Sequence, residues 1–183
     1  MSKISLERLT EPELPAFRSR LQTAFSVAVI EKYGFIGGEP IPPDKDVNDN
    51  FYSTGAESFH ILSDGQRVGG VIVTINRITN RNHLDFFFID PEVHSKGLGL
   101  AAWKAIEAAY PETERWETGT PYFEQRNIHF YVNKCGFKIT EFYCKHHSDP
   151  HEAPCEDHPI AGMEDGFFVF EKVMNPQNTE APS

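Results

Sequence analysis

The chain is short of cysteine, of cationic side chains and of long apolar runs, and each shortage excludes a class of function. Its three cysteines, Cys135, Cys144 and Cys155, are odd in number and form no Cys-x-x-Cys pair. A disulfide framework is therefore not expected, and free thiols suit a reducing compartment. Lysine and arginine number 17 against 27 aspartates and glutamates, a formal charge of −10. That disfavours nucleic acid as a partner, because phosphate binding needs a basic face. The acidity is compatible with a cationic substrate such as an amine, or with solubility alone. No apolar run approaches the roughly 20 residues that span a bilayer, and the opening "MSKISLERLT" lacks the apolar core of a signal peptide. The expectation is a cytoplasmic protein with no membrane partner.

What is present fits one packed domain, expected over residues 1–174, with a disordered tail at 175–183. "KISLERL" alternates as a strand. Thr10 and Glu13, with Pro12 between them, form a capping box. Behind them Leu14, Phe17, Leu21, Phe25 and Ala28 recur at helical spacing. Residues 34–56 read as loop with at most a short helical turn. "ESFHIL", "RVGGVIVTINRI" and "HLDFFFID" are joined by the polar turns "SDGQ" and "TNRN", which predicts an antiparallel meander. A helix over 97–110, a strand "RWETGT", a helix over 122–135 and a strand "FKITEFY" follow. "GFFVFEKVM" is expected to close the sheet.

The handover from "FFFID" to the helix carries His94, Ser95, Lys96, Gly97 and Gly99. A helix start exposes unpaired N–H groups and partial positive charge, and glycine lets a ligand approach that backbone. The stretch therefore suits a phosphate group, with Lys96 adding charge. A tight turn that uses glycine for its own geometry is the plain alternative. "GLGLAA" also matches the dinucleotide pattern Gly-x-Gly-x-x-Ala, with Glu117 near the place of a ribose-binding acid. That fold, however, wants its first glycine tight against the strand and wants alternating strands and helices.

"IDPEVHSKGLG" resembles the signature loop of the GNAT N-acetyltransferase superfamily, with His94 in the Gln/Arg place and Gly97 and Gly99 matching. "NIHFYVNKCGFKI" is similar to the second motif of that family, an Asn, an aromatic pair and a Gly-Phe turn. The order of elements agrees over nearly the whole chain. The resemblance implies an α/β (α+β) fold: a mixed, mostly antiparallel sheet of six to seven strands, flanked by helices, in which the neighbouring parallel strands "HLDFFFID" and "RWETGT" splay. It implies acetyl-CoA as co-substrate, with its diphosphate on the backbone of residues 95–99 (Ser95, Lys96, Gly97, Leu98 and Gly99). Its pantetheine arm would pair with the strand edge at Phe88 and Ile89. Asn127 would contact that arm or a bound water, and a backbone N–H near Ile89 would serve the oxyanion. The activity implied is direct transfer of an acetyl group to a primary amine on a small molecule or protein. A non-catalytic acyl-CoA sensor and a dinucleotide-dependent oxidoreductase are the alternatives. No metal is expected, and the oligomeric state is open, a homodimer included.

Proton transfer has several candidates. His83 and Asp85 share a strand face, and His83 holds the place of the glutamate base in the histone-acetylating branch of the family. Glu117 lies on the neighbouring strand. Polar residues at strand ends, or an ordered water as base, are the alternatives. Tyr131 is the candidate acid, yet it is one residue out of the family spacing, at which Val132 stands. One residue is ~100° of helix rotation, so a local bulge is needed to aim it; otherwise Phe130 and Tyr131 simply fill the core. "CKHHSDPHEAPCEDH" holds Cys144, His146, His147, His151, Cys155 and His158, but their spacing matches no familiar zinc site. It is expected to be an acidic loop in which Glu152, Glu156, Asp157, Glu164 and Asp165 select cationic acceptors, or a surface loop without that role.

Overall fold

Thr10 and Glu13 do what their spacing predicts. Glu13 Oε2 accepts from the Thr10 N–H (3.1 Å) and the Thr10 hydroxyl (2.8 Å). These bonds, with Arg67 alongside, hold the Glu13 carboxyl down at about 2. A short 3₁₀ turn at Glu11–Glu13 leads into α1 (Leu14–Tyr33), which ends at Gly34 in the left-handed region. A computed structural model of the chain describes residues 2–34, 38–93, 97–151 and 166–174.

Seven strands form one sheet: β1 (Ile4–Arg8), β2 (Ala56–Ser63), β3 (Gln66–Thr74), β4 (Arg81–Ile89), β5 (Arg115–Pro121), β6 (Lys138–Tyr143) and β7 (Phe167–Val173). Their order is β1-β2-β3-β4-β5-β7-β6. Every neighbouring pair is antiparallel except β4 and β5. The expected meander is present. Its middle strand stops at Thr74 rather than near Ile78, because the Asn76 side chain accepts the N–H groups of Ile78 and Thr79 and turns the chain.

Helices cover both faces. On one, α3 (Leu98–Ala109) sets Trp103 and Ile106 against Val71, Val73, Leu84, Trp116 and Phe170. On the other, Leu14, Phe17 and Leu21 of α1 meet Ile72 and Phe88. That second core also takes Val47 from α2 (Asp44–Tyr52), a helix where the sequence suggested loop. Asp44 and Asp46 sit in its first turn, where their charge is favoured. A bulge at Asp85 separates these faces: Leu84 pairs with Val73 and Phe86 with Ile72, leaving Asp85 as the extra residue. No helix among the described residues is long and apolar enough to cross a membrane.

Candidate active site

β4 and β5 do not stay together. Only Arg81↔Arg115, Asn82↔Trp116 and His83↔Glu117 are paired, although both strands continue beyond them. Past that point the strands diverge. Thr118 closes the vertex by donating its hydroxyl to the Leu84 carbonyl at 2.9 Å. On the free side of β4 the backbone groups can be assigned from the ladder. Asp90 N–H bonds Val68 C=O at 2.9 Å and Phe88 pairs with Gly70. By antiparallel alternation, Phe87 and Ile89 then turn their N–H and C=O groups into the gap, whereas Phe88, expected at the pairing edge with Ile89, turns its backbone to β3 instead.

Three predicted side chains meet at the vertex. His83 Nδ1 lies 2.8 Å from Asp85 Oδ1, and Thr74 donates its hydroxyl to Asp85 Oδ2 at 2.7 Å. His83 Nε2 is 3.8 Å from Glu117 Oε1. Burial pulls the imidazole pKa down, but the bond to Asp85 and the two carboxylate charges outweigh it, and the net direction is up.

Tyr131 approaches from the opposite face. α4 (Gln125–His129) runs into a π-helical turn at Phe130–Lys134, closed by the Cys135 N–H on the Phe130 carbonyl at 3.0 Å. The sequence read this stretch as one regular helix. The wider turn is the local bulge that the out-of-register tyrosine called for. Tyr131 is only 6% exposed and packs against Phe137 and Phe170. Thr118, the residue at the vertex, is a neighbour of its hydroxyl. Burial, then the electrostatics of Cys135 and Glu124, push the phenol above its usual range, so it keeps its proton at neutral pH.

A cavity of about 260 Å³ opens beside the gap. Phe87, Phe88 and Ile89 of β4 form one wall, and Phe25 and Ala28 of α1 another. Arg20 of α1 grips Asp90 through Nε (3.2 Å) and Nη2 (2.6 Å), which fixes that wall to the end of β4. Leu98 and Gly99 of α3 and Asn127 of α4 complete the lining, with Phe130. Gly97 stands before α3 at φ +91°, with no atom within 4 Å of where a Cβ would lie. At Gly99 a Cβ would press on the Phe130 ring at 3.3 Å. An open helix start joined to a narrow apolar slot fits a diphosphate with a pantetheine arm. Of the predicted co-substrate residues, Phe88, Ile89, Leu98, Gly99 and Asn127 line this one cavity. His94, Ser95 and Lys96 lie outside the described residues, as do Cys155, His158 and the five acidic residues of that loop.

One lining residue escaped the sequence reading. Glu124 is 8% exposed, and burial first, then the charge of Glu31, pushes its carboxyl up to about 7 against the opposing pull of Arg126. Nothing in "PYFEQ" marks it, since its burial comes from α1 folding over it. Among the described residues Glu7, Glu13 and His60 cluster closely enough for an ion, and Arg67 bridges the two carboxylates.

Residues 20–137 match the model of the acetyltransferase (GNAT) family. The chain belongs to the GNAT acetyltransferase family. Protein YrkN of Bacillus subtilis (strain 168), described as uncharacterized, is 53% identical over 179 residues, 96% of each chain. The ribosomal-protein-S18-alanine N-acetyltransferase of Escherichia coli shares the fold at a TM-score of 0.63 and 15% identity, covering 99% of this chain and 100% of that one. The spermidine N-acetyltransferase of Vibrio cholerae, solved with CoA and spermine, does so at 0.63 and 14%, covering 93% and 95%. This GNAT chain has the expected mixed sheet with its parallel pair. The dinucleotide alternative falls with it, because Gly97 and Gly99 follow an antiparallel meander and not a parallel βαβ unit.

Proposed function

We propose that the protein is an acetyl-CoA-dependent N-acetyltransferase that passes the acetyl group directly to a primary amine of a small molecule or protein. The observation that carries this is the parting of β4 and β5 after His83 and Glu117, with a cavity at the gap that ends at the glycine start of α3. Acetyl-CoA supplies an activated acyl group on a thioester. The N–H groups at the start of α3, with Lys96, hold its diphosphate, and Phe87 and Ile89 pair with its arm. The Ile89 N–H donates to the oxyanion. Tyr131 donates a proton to the leaving sulfur, since its raised pKa keeps the phenol protonated. The fold neighbours named for spermidine and for a ribosomal-protein alanine support either class of acceptor.

Two groups could take the amine's proton: His83, whose ring Asp85 orients at the vertex, and Glu124 in the cavity wall. The test is thiol release from acetyl-CoA against polyamines, aminoglycosides, amino acids and peptides, run with thermal shift. Turnover of at least one amine is expected. Stabilisation by acetyl-CoA and by CoA without any turnover would make the protein a sensor instead.

A further inference from the structure

We infer that Glu124, and not His83, takes the proton from the acceptor, and that the acceptor therefore enters the cavity as an ammonium ion. This rests on the acetyltransferase reading above. Glu124 is more than nine-tenths buried, lines the cavity, and among the described residues its carboxyl receives no hydrogen bond. A buried carboxylate without a donor is costly, and an incoming ammonium supplies both the missing charge and the missing bond. The charged groups around it leave that place open. From α1 comes Glu31, and from α4 comes Arg126, which bonds Glu31 at 3.3 Å and is largely exposed. β4 and α3 present only apolar residues to the cavity. Glu124 caps α4, and the π turn that continues this helix carries Tyr131. His83 sits at the vertex bonded to Asp85, which makes it hold its proton more tightly.

Glu124 takes one proton from the ammonium, and the freed lone pair forms the N–C bond to the thioester carbonyl carbon. The C–S bond breaks as the carbonyl reforms, and the sulfur leaves with its electron pair and takes the Tyr131 proton. The second proton of the amine nitrogen replaces the one that Tyr131 gave, and Glu124 releases its own to water. A carboxyl titrating near neutrality suits this exchange, because it is ionised often enough to accept and weak enough not to discharge the amine at a distance.

The test compares wild type, Glu124→Gln, Glu124→Asp and His83→Gln in thiol release from pH 5.5 to 9, with the amine of the panel that wild type turns over best. Glu124→Gln is expected to lower kcat/KM roughly a hundredfold and to abolish the rising limb near neutrality. Its affinity for acetyl-CoA should stay within about twofold, and Glu124→Asp should restore part of the rate. Loss of the limb in His83→Gln with Glu124→Gln unaffected would overturn the inference, while leaving the acetyltransferase reading intact. Failure of wild type to acetylate any amine would overturn both. Should Glu124→Gln not fold, carboxyl-carbon NMR of the full chain decides: a glutamate titrating near neutrality supports the inference, and its absence overturns it.

Discussion

Thr118 donates its hydroxyl to the Leu84 carbonyl at 2.9 Å, one residue beyond the last backbone pair of β4 and β5. The same side chain is a neighbour of the Tyr131 phenol. A single buried side chain thus stands at the end of the strand pairing and beside the candidate acid. Thr118→Val keeps the shape and removes the bond to Leu84. An unpaired buried carbonyl costs about 1–3 kcal/mol. The midpoint of urea unfolding should fall accordingly, and kcat should drop with it. An unchanged midpoint would mean that the vertex is held by the backbone alone.

Tyr131→Phe tests the acid separately. The ring contacts with Phe137 and Phe170 survive, so stability should change by no more than about 1 kcal/mol. Turnover should fall on the order of ten- to a hundredfold with acetyl-CoA affinity unaltered. A variant as fast as wild type removes Tyr131 from proton transfer and leaves it as core.

Gly97 is the position where backbone freedom matters most for the co-substrate. At φ +91° an alanine is strained by roughly 1–2 kcal/mol, although no neighbour crowds its Cβ. The cost falls on the turn that opens α3 rather than on the core. Gly97→Ala should weaken acetyl-CoA by about tenfold in calorimetric titration, with folding stability reduced by about 1 kcal/mol. Lower stability with unchanged affinity would take the diphosphate away from this turn.

The Glu124 carboxyl makes a prediction about stability that does not depend on turnover. Its pKa in the folded chain is about 7, and unfolded it is near the ordinary ~4.3. Between these values the folded chain binds the extra proton. The stabilisation due to that proton is complete below the unfolded pKa and is lost as pH rises through 7. Glu124→Gln has no such loss. Its advantage over wild type in unfolding free energy should grow from pH 4.5 to 7.5 and then level, reaching on the order of 4 kcal/mol at most. Parallel curves for the two proteins would show that Glu124 is solvated in the folded chain.

Much of this was legible in the residues because it is local. The capping box at Thr10 and Glu13, the meander turns and the glycine start of α3 are each set within a few positions. The displacement of Tyr131 by one place from the family spacing even pointed to a bulge, and the π turn at Phe130–Lys134 is there. Asp85 shows the reverse. Its bulge against Val73 and Ile72 decides which face of β4 each following side chain takes, and alternation read along one strand does not reveal it.

Sequence alone determined the family, the meander of β2 to β4 and the place of the glycine turn, since periodicity, turn residues and short motifs act between near neighbours, whereas β7, expected to close the sheet, inserts between β5 and β6. Tertiary structure alone decided that β4 and β5 part after His83 and Glu117, that Tyr131 packs against Phe137 and Phe170, and that Glu124 is largely buried in the wall of the cavity. Burial and charge at a site depend on what distant segments bring to it. A carboxyl in "PYFEQ" carries no sign of how far it will be taken from water.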